Sequence, residues 1–236
     1  MLELNGITKT FGGVHAVEDV TMSVAPGEVR GLIGPNGAGK TTLVNLISGL
    51  LTHSAGSMLL DGEPLDHLRA HERAVRGVAR TFQNLRVFPS LSVAQNIDVA
   101  RYSGRGAEIV EAAIPEFGLS DKLNQNAGSL AYGQLRRLEI VRALALNPRV
   151  LMLDEPAAGM NEQETEALGR SLTWVRTHSD SAILVIDHDL KFIMSLCDKI
   201  TVLNMGAIIA EGAPEEITKN QEVIDAYLGE TDERAA

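Results

Sequence analysis

Gly34-Pro35-Asn36-Gly37-Ala38-Gly39-Lys40-Thr41 is a complete G-x-x-x-x-G-K-[ST] phosphate loop. Its glycines let the backbone curl so that successive N–H groups point at phosphate oxygens. In that arrangement Lys40 reaches the β- and γ-phosphates, and the Thr41 hydroxyl holds Mg²⁺. The flanking residues have the order that such a site requires. Val29 to Ile33 is a short apolar run before the loop, and Leu43, Leu46, Ile47 and Leu50 recur at helical spacing after it. A helix starting at the loop adds its N-terminal dipole to the anion cradle. Strand, loop and helix together imply that the chain binds a nucleoside triphosphate.

Composition narrows the setting. At 236 residues, 44% apolar and 22% charged, the chain can bury a core as one large domain or a domain carrying a smaller lobe. A net charge of −10 leaves no basic footprint for nucleic acid or anionic lipid. No apolar stretch approaches the ~20 residues of a membrane span. Met1-Leu2-Glu3-Leu4-Asn5 has neither a positive region nor an apolar signal core, and the single Cys197 excludes an internal disulfide framework. A reducing cytoplasm is therefore the expected compartment. Cys197 shares a stripe with Leu190, Ile193 and Met194, which predicts a packed thiol.

Along the chain, residues 2 to 30 suggest short strands, with Ala25-Pro26-Gly27-Glu28 as a turn before the loop strand. Ser57 to Leu60, closed by Asp61-Gly62, reads as a hairpin strand, and Val78 to Phe82 as another ending at Gln83. From about 91 to 147 the pattern is helical. Leu135, Leu138, Val141, Leu144 and Ala145 form one stripe, stopped by Asn147-Pro148. A hairpin follows near the end, Thr201 to Asn204 and Ala207 to Ala210 around Met205-Gly206. Thr231 to Ala236 are polar or small and are expected to fray.

Two apolar runs, Val150 to Leu153 and Ala182 to Ile186, end abruptly in acidic residues. In a parallel α/β sheet, ligands sit beyond the carboxyl ends of the strands. Asp154 there suits Mg²⁺, directly or through water. Glu155, one residue on, suits polarising the water that attacks the γ-phosphate. Asn161 with Glu164 three residues later reads as a capping-box helix start.

These residues carry a family resemblance. From about residue 2 to 230 the chain resembles an ATP-binding-cassette (ABC) ATPase, with the family's motifs in the family's order. The resemblance implies an α/β fold: a phosphate-loop RecA-like core with a mixed sheet, an N-terminal antiparallel β subdomain and an inserted helical subdomain at about 91–147. The core then comprises about 1–90 and 148–230, and residues 231–236 form a tail. Phe11 matches the aromatic residue that stacks on adenine. Gly34, Pro35, Asn36, Gly37, Ala38, Gly39, Lys40, Thr41 and Thr42 match the ATP-binding segment, with Mg²⁺ held by Thr41, Gln83 and Asp154. Gln83 links metal and attacking water to the transport partner, and Glu155 and His188 complete the catalytic set. Leu130, Ala131, Tyr132, Gly133 and Gln134 match the signature segment, opening a helix near Gln134 that serves the partner's ATP. Ala157 to Asn161 match the dimer-contact loop.

Narrower wording resembles one branch, ATPase subunits of importers for branched-chain and related hydrophobic amino acids, amides and urea. It comprises Ala131-Tyr132, Arg136-Arg137-Leu138-Glu139-Ile140, Glu155-Pro156-Ala157-Ala158-Gly159 and Ala226-Tyr227-Leu228-Gly229-Glu230. Ala131 and Tyr132 replace the general Ser-Gly of the signature, and Asn161 the usual Asp, as is typical of the branch. Segment 101 to 108 is shorter than many relatives carry. One loop and one signature per chain imply a head-to-tail dimer, with itself or a paralogue. Two separate multi-span permeases and, indirectly, an extracytoplasmic solute-binding protein complete the expected assembly, with this chain on the cytoplasmic face of the membrane and no nucleic acid partner. Leu85, Val87 and Phe88 beside Gln83 are either a docking patch or lobe core. Other solutes, a non-transport ABC ATPase and a phosphate-loop kinase are the alternative readings; the last two lack their expected insertions, basic surface, acceptor site or lid.

Overall fold

The computed structural model describes residues 1–101 and 106–233. Alternating apolar residues open the chain. Leu2, Leu4 and Ile7 on β1 (Leu2–Phe11) and Val17, Val20, Met22 and Val24 on β2 (Val14–Val24) are buried, as in an antiparallel pair with one packed face. Both strands are longer than expected. Register shifts between Leu4 and Thr10 absorb the breaks in alternation without ending the pairing. β3 (Val29–Ile33) leaves for a second sheet. The phosphate loop and α1 (Lys40–Ile47) follow, with Leu43, Val44, Leu46 and Ile47 buried. α1 ends before the left-handed Gly49, so Leu50 lies outside the helix and is 51% exposed, against expectation. β4 (Ala55–Leu60) and β5 (Glu63–Pro64) complete an antiparallel sheet of order β2-β1-β4-β5.

α2 (Ala70–Arg76) contributes the buried Arg73, whose Nη1 donates to the carbonyls of Leu46 and Ile47 at 2.6 and 3.0 Å. It thus adds a cationic donor at the negative end of α1, where Leu46 O also accepts from Gly49 N at 3.1 Å. β6 (Val78–Arg80) is shorter than the expected run to Phe82. The helical middle holds α3 (Val93–Arg101), α4 (Ala107–Glu116) and α5 (Tyr132–Leu144), the last beginning two residues before the expected Gln134. Then come β7 (Val150–Asp154), α6 (Glu162–His178), β8 (Ala182–Ile186), α7 (Leu190–Leu196), β9 (Lys199–Asn204) and β10 (Ala207–Gly212). The described chain closes on α8 (Pro214–Ile217) and α9 (Gln221–Glu233). Helix therefore continues through 231–233, where fraying was expected. Residues 234–236, and residues 102–105 of the short segment 101 to 108, lie outside the described residues.

The second sheet has the order β10-β9-β3-β8-β7-β6, parallel except for the β9–β10 hairpin. Both of its faces are covered, which explains the unbroken apolar strands. Along β7, Val150 and Met152 join a core with α1 and the N-terminal sheet, whereas Leu151 and Leu153 join one with α3 to α7. The expected α/β fold, with its mixed sheet, antiparallel β subdomain and helical insertion, is the one observed. Cys197 caps α7 instead of lying within it, yet it is packed as expected, and burial pushes its thiol up to about 12. Among the described residues no helix is long and apolar enough to cross a membrane.

Candidate nucleotide site

β3, β6, β7 and β8 run parallel, so their carboxyl ends share one edge of the sheet. The phosphate loop follows β3, Gln83 lies three residues past β6, Asp154 ends β7, and His188 lies two residues past β8. Sequence-distant motifs meet there because the topology is parallel.

The loop is wedged between β2 and the β9–β10 turn. A Cβ on Gly34 would lie 2.0 Å from the Leu203 carbonyl oxygen, and one on Gly39 would lie 2.4 Å from that of Ala16. Gly206 N donates to Ala38 O at 3.0 Å, and Glu18 N to Gly206 O at 2.9 Å. Pro35 and Ala38 are buried, whereas Asn36 and Gly37 are exposed at the tip. Gly39 caps α1 without a side-chain hydrogen bond. The positive end of α1 thus faces the loop, where an anion is favoured. Lys40 Nζ donates to the carbonyls of Gly34 and Pro35 at 2.5 and 2.8 Å, arching over the loop whose ligand it would neutralise. Thr41 is exposed and Thr42 half-buried on the first turn.

The acidic edge is more constrained than its sequence suggests. Asp154 Oδ2 accepts from Arg80 Nη2 at 2.8 Å, and Arg80 Nη1 reaches Asn45 Oδ1 of α1 at 2.6 Å and Ser48 Oγ at 3.2 Å. The carboxylate expected to hold Mg²⁺ is therefore tied through Arg80 to the phosphate-loop helix. Glu155 follows at φ +49°, a left-handed conformation rare for a residue with a Cβ. Its N–H donates to Ile186 O at 2.7 Å. This backbone aims the side chain at Gln83, whose Nε2 donates to Glu155 Oε2 at 2.9 Å. The structure thus brings Gln83 and Glu155 together.

His188 stays apart from that pair. Its side chain is 73% exposed, and its Nδ1 lies 3.5 Å from Asp187 Oδ1. Phe11, 46% exposed at the end of β1, has Lys9 Nζ 4.8 Å from its ring centroid. The signature residues Leu130, Ala131, Tyr132, Gly133 and Gln134 lie at the start of α5. Ala131 N donates to Gln134 Oε1 at 3.2 Å, and the exposed Tyr132 ring packs beside Gly159 of the segment expected to make the dimer contact. Asn161 and Glu164 form the expected capping box, at 3.0 Å in both directions. Of the apolar residues Leu85, Val87 and Phe88 beside Gln83, only Phe88 is exposed, at 44%. Leu85 and Val87 are half-buried, Val87 against the larger core.

Sequence reading missed Arg80. A charged residue inside the buried run Val78-Ala79-Arg80 was the available signal, because a buried guanidinium must find partners. It also missed Glu139, three residues after Arg136 on a helix.

Comparison with known proteins extends this picture. Residues 17–158 match the family described as ABC transporter, and residues 207–233 match that described as branched-chain amino acid ATP-binding cassette transporter. The chain is 42% identical to the high-affinity branched-chain amino acid transport ATP-binding protein BraF of Pseudomonas aeruginosa, over 98% of each. It is 40% identical, with the same coverage, to LivG of Escherichia coli strain K12, described in the same words. The solved ADP conformation of MJ1267, an ATP-binding cassette of an ABC transporter, superposes with a TM-score of 0.88 at 27% identity. That match covers 97% of this chain and 98% of the other.

Proposed function

The chain belongs to the ABC transporter family of ATP-binding cassettes, and from that premise we propose that it is the ATP-hydrolysing motor subunit of an importer for branched-chain amino acids. The observation that carries the hydrolytic part is the Gln83–Glu155 contact of 2.9 Å beyond the parallel strand ends. The solute class is supported by the C-terminal match over 207–233 and by the names of BraF and LivG.

In this reading Lys40 exchanges its loop carbonyls for the β- and γ-phosphates, and the α1 N-terminus completes the cradle. Phe11 stacks on adenine. Thr41, Gln83 and Asp154 offer a hydroxyl, an amide and a carboxylate, the hard oxygen donors that suit Mg²⁺. Gln83 directs its NH₂ to Glu155, so its amide oxygen is the end that turns to a cation. Those donors would hold Mg²⁺, which would supply positive charge against that of the transferring phosphate. Glu155 orients the attacking water and accepts its proton. His188, exposed past β8, meets the γ-phosphate only once the site closes. Residues 91–147 act as the signature lobe, and Leu130 to Gln134 face the ATP of a second cassette. Residues 1–90 and 148–230 form the core. Separate permease subunits hold the pair at the cytoplasmic face of the membrane, with a solute-binding protein acting on the far side.

Glu155→Gln tests the reading. It keeps an acceptor for Gln83 but removes the carboxylate that polarises water. Hydrolysis should fall by a factor on the order of 10²–10⁴. With ATP retained, light scattering should give a dimer with ATP and a monomer with ADP or no nucleotide. A mass independent of nucleotide, with and without a second cassette, rejects the ATP-closed dimer. ATP-driven leucine uptake by vesicles carrying the assembled transporter decides the solute class.

A further inference from the structure

We propose that Arg136, braced by Glu139, is a positioning residue that holds Gln83 and Glu155 in register and ties both to the signature helix. The proposal rests on the reading of Glu155 as the water-orienting carboxylate. The Arg136 side chain is fully buried, and the Glu139 side chain is nearly so. Arg136 Nη1 donates to Phe82 O at 2.7 Å and to Glu139 Oε2 at 2.9 Å. Nη2 donates to Gln83 O at 3.2 Å, and to Glu155 O and the Tyr132 hydroxyl, both at 3.3 Å. Glu139 Oε1 in turn accepts from Phe82 N at 3.3 Å and Arg86 N at 3.2 Å.

One buried ion pair therefore grips the backbone on both sides of Gln83 and the carbonyl of Glu155. Those are the two residues whose side chains meet at 2.9 Å. Glu155 holds φ +49°, a conformation that persists only where surrounding contacts over-determine it. Desolvating a guanidinium and a carboxylate is costly, and an apolar pair would fill the same volume more cheaply. An apolar pair cannot bond carbonyls and N–H groups on two loops at once, and only the planar fork spans them.

The placement has a directional consequence. Arg136 lies about one turn into α5 from Tyr132, so the same turn that presents the signature to a partner's nucleotide grips this chain's own hydrolytic pair. A shift of α5 on partner ATP is carried to Gln83 and Glu155 through Arg136. The pair thus links the two sites of a dimer.

Arg136→Lys keeps the charge opposite Glu139 but cannot span the fork. In the assembled ATPase, nucleotide affinity should stay within about twofold of the parent. Turnover should fall by about ten- to a hundredfold, the scale of misplaced catalytic groups. The Hill coefficient for ATP should drop towards one. Glu139→Gln sets an amide donor against N–H donors, should shift the same readouts in the same direction, and decides the matter if Arg136→Lys does not fold. A folded variant with parental turnover and parental Hill coefficient overturns the proposal while leaving the hydrolytic reading intact. A parent assembly that binds but does not hydrolyse ATP overturns both.

Discussion

Arg80 Nη2 lies 2.8 Å from Asp154 Oδ2, with the two side chains 7% and 11% exposed. The same guanidinium bonds Asn45 and Ser48, so one residue of β6 fastens β7 to the phosphate-loop helix. Arg80→Met strands a nearly buried carboxylate and should cost about 3–5 kcal/mol in denaturant melts. The exposed Arg76–Glu63 pair, at 53% and 65%, supplies the control. Arg76→Met should cost no more than about 1 kcal/mol. Equal losses would mean that Arg80 acts as an ordinary surface charge.

Gly39→Ala should destabilise the fold and weaken ATP binding together. Its φ of +102° strains any residue with a Cβ, and that atom would meet Ala16 O at 2.4 Å. Gly37, at φ +78° with open space around its Cβ position, carries the strain alone. Gly37→Ala should therefore cost about 1–3 kcal/mol and Gly39→Ala more. Paired thermal melts and ATP titrations distinguish them, and the reverse order would contradict the observed wedge.

Phe11→Ala should weaken ATP binding by about 0.5–1.5 kcal/mol, the contribution of an aromatic stack. At 46% exposure the ring contributes little to the core, so the melting midpoint should hold. Unchanged affinity by titration calorimetry would place the base elsewhere.

Cys197 sets an alkaline limit. Burial, reinforced by Asp198, raises its thiol from an ordinary 9.0 to about 12. The unfolded chain loses this proton first as pH rises. The stabilisation is therefore complete below pH 9.0 and is progressively lost between there and about 12. Cys197→Ala should flatten that part of the stability–pH curve. A thiol reagent at pH 8 should label the parent only upon unfolding. Rapid labelling of the folded chain would contradict the packing.

Much of the site was legible because its chemistry is local in sequence. Gly34 to Thr41 needs consecutive backbone N–H groups, and Asp154-Glu155 needs only a strand that ends at the ligand edge. Local pattern was less reliable at element ends. Leu50 continues the spacing of Leu43, Leu46 and Ile47, yet Gly49 ends the turn before it. Leu85 and Val87 left docking and packing equally open; both are half-buried, and Val87 packs against a core drawn from residues distant in the chain.

The sequence by itself determined that a phosphate-binding loop joins a buried strand to a helix, that acidic residues close two further strands, and that a helical segment lies between. Those are properties of short windows, set by backbone geometry and by side-chain periods of 2 and 3.6 residues. Only the tertiary structure decided that Arg80 holds Asp154 and that Arg136 and Glu139 grip Gln83 and Glu155. These contacts cross up to 74 residues of chain. A buried charge announces that it needs partners, but parallel strand pairing and helix packing choose which ones come within reach.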